Sequence, residues 1–157
     1  MTGLTRDRLL AVLRYEPETG KLFWLGNDRV EAGTRTARGY RRLRVDGRDY
    51  LAHRLAWLAM TGSWPERVDH KNLNPSDNRW LNLRHATRQQ NRANSKAQKS
   101  STTGLKGVKP VDNGKRFQAR IRVGKEYRYL GRFGTAEEAN AAYAKAAREI
   151  HGEFARW

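Results

Sequence analysis

Residues 68–91 read VDHKNLNPSDNRWLNLRHATRQQN. No helical or alternating periodicity runs through this stretch, and amides crowd it: Asn72, Asn74, Asn78, Asn82, Gln90 and Asn91. Asparagine tolerates left-handed backbone and bonds to its own chain two residues on, so Asn72 and Asn74 read as turn formers. Asn78 is open between a turn former and a working amide. Thr87 and Gln90 have the spacing of a capping box, which places Asn91 in the first turn of a helix. Trp80 reads as core.

Working outward, the flanks are more regular. Residues 51–60, LAHRLAWLAM, put Leu51, Leu55, Leu58 and Ala59 on one helical face, and Thr61-Gly62 and Pro65 end the helix. Residues 40–50, YRRLRVDGRDY, predict a hairpin that turns at Asp46-Gly47. Further upstream, residues 5–14 predict a helix capped by Thr5 with Leu9, Leu10 and Leu13 on one face. A turn at Glu18-Thr19-Gly20 then leads into an apolar strand. Downstream, residues 92–103, RANSKAQKSSTT, are small, polar and basic, a linker or a helix that runs into one.

From Gly104 three short β-type segments follow, divided by turns at Asp112-Asn113-Gly114 and Gly124-Lys125. In RFQARIRV, Phe117, Ala119, Ile121 and Val123 alternate with Gln118, Arg120 and Arg122, so one face is apolar and the other polar and basic. Thr135 with Glu138 forms a capping box. The helix that it opens aligns Ala139, Ala142, Tyr143, Ala146, Ala147 and Ile150 on one stripe and stops near Gly152. A ridge of alanines lets this helix lie close against the apolar sheet face, leaving the basic face bare.

Composition narrows the function. The 157 residues hold 32 Lys and Arg against 16 Asp and Glu, a net charge of +16. The excess is spread: residues 92–157 carry 15 basic and 6 acidic side chains, and residues 1–91 carry 17 and 10. Both halves are therefore suited to a polyanion, rather than one half carrying a basic tail. Cysteine is absent, which removes disulfides, thiolate metal sites and cysteine nucleophiles. No apolar run is long enough to span a membrane and no signal-peptide pattern opens the chain, so a location in a cytoplasm or a nucleus is expected. No serine lies in a nucleophile turn, and Gly104–Gly107 is too short for a phosphate-binding loop.

The pattern Asp69-His70, an amide-rich loop, Asp77-Asn78-x-x-x-Asn82-Leu83-Arg84, then Thr87 and Asn91, resembles the HNH nucleases. It is most similar to the intron- and phage-associated homing endonucleases among them, and His53-Arg54-Leu55-Ala56-Trp57 resembles the helix that leads into their motif. The resemblance covers roughly residues 40–95. It implies a ββα-metal site in which Asp69 is a metal ligand, His70 the general base, Asn82 the amide that braces the hairpin and the histidine, and Asn91 the second ligand. The last position of the motif is an amide and not a histidine. A carboxylate and an amide oxygen suit Mg2+, with Mn2+ as a substitute, rather than structural zinc. A histidine with its ordinary pKa of about 6.5 accepts a proton from water at neutral pH. His85 is a rival ligand, or packs against the hairpin. His53, Arg54, Arg84, Arg88 and Arg92 are candidate phosphate contacts, with bracing or solvated roles as the alternative.

Residues 104–155 resemble the APETALA2/ethylene-response-factor DNA-binding domain. The matching residues are Gly104-x-Lys106-Gly107-Val108, Phe117-x-Ala119-x-Ile121-Arg122, Tyr129-Leu130-Gly131-x-Phe133, Thr135-Ala136-Glu137-Glu138-Ala139 and His151-Gly152-Glu153-Phe154-Ala155. The resemblance implies that the sheet enters the major groove, where Arg and Lys bond guanine edges. By position the DNA-binding residues are Lys106, Lys109, Arg120, Arg122, Tyr129 and Arg132. The family often has an acidic residue at position 120 and tryptophan at 129.

The expected chain is α+β. A ββα-metal nuclease module with an N-terminal helix and hairpin region spans residues 1–91, a basic linker or helix extension 92–103, and a domain of three antiparallel strands on one helix 104–157. The expected function is metal-dependent, site-specific cleavage of double-stranded DNA by a monomer or DNA-dependent dimer, most in keeping with a homing endonuclease. The alternatives are a DNA-binding regulator on an inactive scaffold and a restriction-type or structure-selective nuclease.

Overall fold

The apolar stripe read at residues 51–60 is the centre of the first half of the molecule. In the computed structural model, which describes residues 3–157, it forms helix α2 (Ala52–Thr61) and buries Ala52, His53, Leu55, Ala56, Leu58 and Ala59. Gly62, in left-handed backbone at φ 75°, closes it by donating its N–H to Leu58 O. The chain divides into two compact units, one ending at Thr87 and the other comprising Arg88–Trp157.

The first unit builds its core from small antiparallel pieces. Helix α1 (Arg6–Leu10) is capped by Thr5, whose hydroxyl accepts from Arg8 N. Strands β1 (Leu13–Glu16), β2 (Lys21–Trp24) and β3 (Asn27–Glu31) form a meander. Strands β4 (Thr34–Arg35), β5 (Arg41–Val45) and β6 (Arg48–Leu51) form a second sheet. The β5–β6 turn is the expected one: Asp46 and Gly47 both take positive φ, 48° and 75°, between the paired residues Val45 and Arg48. Leu9, Leu13, Leu22, Leu43, Leu55 and Leu58 are almost fully buried together, each contributing about 1.5–3 kcal/mol relative to exposure.

The helix expected over residues 5–14 is shorter than its leucine spacing indicated. It stops at Leu10, and Leu13 reaches the same core from a strand. The backbone of residues 13–16 is taken up by pairing with β2, from Leu13 opposite Trp24 to Glu16 opposite Lys21. Leu10 is left 39% exposed. A non-local strand ladder here outweighs a weak local helix preference.

The amide-rich stretch contains two three-residue strands. β7 (Val68–His70) and β8 (Leu83–His85) pair antiparallel, Asp69 opposite Arg84 and His70 opposite Leu83. The loop between them rests on the β1–β2 turn: Trp80 N donates to Pro17 O at 2.9 Å and Tyr15 Oη to Asn78 O at 2.8 Å. Gly20, at φ 74°, makes this approach possible, because a Cβ there would lie 2.3 Å from Arg79 N.

In the second unit, helix α3 (Arg88–Ala93) is followed by β9 (Val108–Val111), β10 (Arg116–Val123), β11 (Glu126–Phe133) and helix α4 (Ala136–His151). The sheet order is β11-β10-β9, all antiparallel, with a register shift between Ala119 and Arg120. Val108, Ala119 and Ile121 pack against Ala139, Tyr143, Ala146 and Ala147 of α4. The capping box forms as expected, with Thr135 Oγ1 accepting from Glu138 N and the Glu138 carboxylate accepting from Thr135 N. The alanine ridge does what its volume predicts, letting helix and sheet approach. Val123, at the strand end, is 40% exposed.

Gly107 tightens that contact. Its φ is 71°, and a Cβ would meet Tyr143 Cδ2 at 2.3 Å and Arg120 O at 2.5 Å. Gly114 has φ 84° with nothing near it. Gly107→Ala should therefore cost at least about 2 kcal/mol, and Gly114→Ala only the roughly 1 kcal/mol of backbone strain. Urea denaturation of both variants tests this, and equal losses would remove the packing role given to Gly107.

Candidate functional site

Asp69 and His70 are neighbours on β7, both buried, at 4% and 6% exposure. Buried polar groups need partners, and each has one. Arg84, across the ladder on β8, donates Nε and Nη2 to Asp69 Oδ2, both at 2.9 Å. Asp69 is thus a fixed, charge-compensated carboxylate. His70 Nε2 lies 3.1 Å from Asn78 Oδ1. With the amide oxygen facing the ring, Nε2 carries the hydrogen and donates it, so the lone pair is on Nδ1. Burial pushes the His70 pKa down, against the Asn78 bond and the charges of Asp69 and Asp77. A depressed pKa keeps the imidazole neutral and able to accept a proton.

Two aromatic side chains, His53 and Tyr40, pack against this imidazole. His53 of α2 meets it edge-on, with ring centroids 5.0 Å apart, and Tyr40 lies 6.0 Å from His70 and 5.4 Å from His53. His53 is 6% exposed, and its pKa is lowered to about 3 by burial first, then by His70 and Arg54. Its position is that of a packing partner of His70.

Asn82 supports the loop rather than the ring. Its Oδ1 accepts from Asn72 N at 3.0 Å and its Nδ2 donates to Asp77 O at 2.7 Å, while its own carbonyl accepts from Lys71 N. Asn72 and Asn74 make the local turns expected of them, accepting from Asn74 N and Ser76 N. Asp77 is held at a pKa of about 2, first by its bond from Arg79. The amide on the histidine ring is therefore Asn78, which the sequence could not separate from a turn former. Its 2% exposure comes from packing over Gly20 and Tyr15, more than fifty residues upstream.

The remaining candidates are spread more widely. Arg54 donates to Pro65 O and lies over the Trp64 ring, a bracing position. His85 ends β8 opposite Val68, its ring 6.2 Å from that of Trp57. Asn91, with Arg88 and Arg92, is exposed on α3, in the second unit.

In that unit the bare sheet face carries Lys109, Arg120, Arg122, Tyr129 and Arg132. The pairings Lys109 with Gln118, Gln118 with Arg132, Arg120 with Tyr129 and Arg122 with Tyr127 put all of them on the face opposite α4. Tyr127, not singled out in the sequence, is 54% exposed beneath two guanidinium groups, 4.6 Å from Arg120 and 5.7 Å from Arg122. Beside this face is an open cavity of about 320 Å³ whose lining includes Arg92, Lys96, Lys109, Arg120 and Arg122 and no acidic side chain. Lys106 departs from the set. Its ammonium is directed to the carbonyls of Ala93 and Ser95, and burial, with Arg156 and Arg92, brings its pKa down to about 8.

The buried His53 has a consequence for stability. Its folded pKa of about 3 is below its ordinary 6.5, so the unfolded chain binds the extra proton between those values. The neutral-imidazole contribution is present above about pH 6.5 and is lost as pH falls, by up to about 1.4 kcal/mol per pH unit. His53→Gln should weaken the acid dependence of the urea midpoint between about pH 7 and pH 5. An unchanged dependence would show that His53 is not buried neutral.

Compared with known proteins, residues 50–93 match the HNH endonuclease family. The chain is 32% identical over 108 residues to Protein 3.8 of Escherichia phage T7, across 67% of this chain and 88% of that protein. No solved structure matches it. β7, β8 and the loop closed by Asn82 all lie inside the family match. With that identity and coverage the chain belongs to the family of the phage protein, and its residues 50–93 carry the match to the HNH endonuclease family.

Proposed function

We propose that this protein is a metal-dependent, site-specific DNA endonuclease of the homing type. The observation that carries the reading is the Asp69–His70 pair on β7, with the imidazole buried, its tautomer set by Asn78 and its proton affinity lowered. His70 Nδ1 takes the proton of a water as its oxygen attacks phosphorus. The bond to the 3′ oxygen breaks, and that oxygen takes a proton from solvent, leaving a 5′-phosphate and a 3′-hydroxyl. Asn78 holds the ring, and Asn82 holds the loop that presents Asn78. Arg84 keeps the Asp69 carboxylate in one orientation.

Asp69 and Asn91 would hold Mg2+. Their donor chemistry, one carboxylate and one amide oxygen, fits a hard cation that keeps several waters, and Mn2+ fits the same donors. When bound, the ion supplies Lewis-acid stabilisation of the phosphate and the leaving oxygen.

The second unit is read as an APETALA2-like module whose sheet enters the major groove of double-stranded DNA. Lys109, Arg120, Arg122, Tyr129 and Arg132 face the duplex, and the net charge of +16 supports the backbone contacts. One chain carries one catalytic set, so a monomer nicks and a DNA-dependent pair cuts both strands. The place of action is the cytoplasm of a bacterial or phage-infected cell. Among the described residues no helix is long and apolar enough to cross a membrane.

The test is cleavage of supercoiled plasmid, and of genomic DNA from candidate hosts, with Mg2+, with EDTA and with His70→Ala. Cutting should need the metal and fall about 100-fold or more in the variant, at nearly unchanged DNA affinity. Tight binding without cutting, on DNA containing the bound site, would replace the nuclease with a regulator on an inactive scaffold. Arg122→Ala should weaken binding to a mapped target by roughly 1–3 kcal/mol if it reads a base edge. Unaltered affinity would take it out of the interface.

A further inference from the structure

We propose that Lys106 is a positioning residue for Asn91: its ammonium pins the C-terminal end of α3, and with it the amide assigned above to the metal. The inference rests on that assignment of Asn91. Helix α3 has six residues, far fewer than the roughly 12–15 at which a helix holds together by itself in water. Its place is therefore set by what grips it from outside. The last carbonyls of a helix have no partner within it, and Lys106 supplies one. Its Nζ donates to Ala93 O and to Ser95 O at 2.9 Å, with Arg92 O at the outer limit of 3.5 Å. A cation at a helix C-terminus is also on the favourable end of the peptide dipoles.

The grip is rigid at its other end. Gly107, next in the chain, accepts from Arg120 N at 2.9 Å and lies under the Tyr143 ring, and Val108 is in the core between sheet and α4. A short series of fixed contacts thus runs from the sheet through Gly107 and Lys106 to Arg92 and Ala93, the two residues that follow Asn91. With its three N–H groups turned to three carbonyls, Lys106 has no donor left for a phosphate. That sets it apart from Lys109, three positions on and exposed on the sheet face.

The experiment compares full-length Lys106→Met, Lys106→Arg, Lys109→Met and Asn91→Ala. Amide hydrogen exchange over residues 88–95 is measured without DNA or metal, DNA affinity in EDTA, and the Mg2+ concentration for half-maximal nicking. Lys106→Met should speed exchange in α3 and raise the Mg2+ requirement by about tenfold, in line with the loss of an outer-shell support, while DNA affinity stays within about twofold. Lys106→Arg, which keeps a cationic donor, should restore part of both. Lys109→Met should do the reverse, weakening affinity at an unchanged Mg2+ requirement. Unchanged exchange in Lys106→Met, or lost DNA affinity without a change in Mg2+ requirement, would overturn the proposal. If Asn91→Ala raises the Mg2+ requirement and Lys106→Met does not, only the positioning role fails. If Asn91→Ala leaves it unchanged, the metal assignment fails and Lys106 is a helix cap.

Discussion

The candidate active site depends on one hydrogen bond, from His70 Nε2 to Asn78 Oδ1. A neutral imidazole has two tautomers, and only an acceptor placed on one nitrogen decides which atom keeps its lone pair. Asn78 can be that acceptor because its own backbone is fixed. Tyr15 bonds its carbonyl, and Gly20 leaves room for the β1–β2 turn to reach it. Asn82 closes the loop behind it, from Asn72 to Asp77. The β1–β2 hairpin is therefore the support on which the site rests, although none of its side chains is needed for the chemistry.

Electrostatics completes the arrangement. In a chain with twice as many basic as acidic side chains, an unpaired buried carboxylate would be costly, and Asp69 is paired with Arg84 inside the hairpin. His53, packed edge-on to His70, is held neutral by burial, so the two rings do not repel. Exposed cations occur in both units, and in the second several of them share the sheet face opposite the one that α4 seals. Neutral chemistry inside and positive charge outside follow from the same rule, that charge is retained where water can solvate it.

Local signals were read well wherever one segment decides its own conformation. The Asp46-Gly47 hairpin, the α2 stripe with its glycine stop and the Thr135–Glu138 capping box depend on residues within a few positions of each other. Alternation in β10 placed Arg120 and Arg122 together for the same reason. The reading was weaker where distant partners compete. Leu13 has helical spacing but is claimed by β2. Lys106 looks like one more surface cation until the end of α3 is placed beside it. Tyr127 matters because strand pairing sets it beneath two arginines.

By itself the sequence determined the mixed α+β character, the strongly basic charge and the residue types available at residues 68–91. These follow from composition and short-range spacing, which act through the chain itself. Only the tertiary structure decided that Asn78 and not Asn82 bonds the imidazole, that His53 and Tyr40 enclose it, and that Lys106 faces carbonyls. Each of these is a choice among chemically equal side chains. Such choices are settled by which one burial brings within about 3 Å of a partner, and that distance is set by packing between segments that lie far apart in the chain.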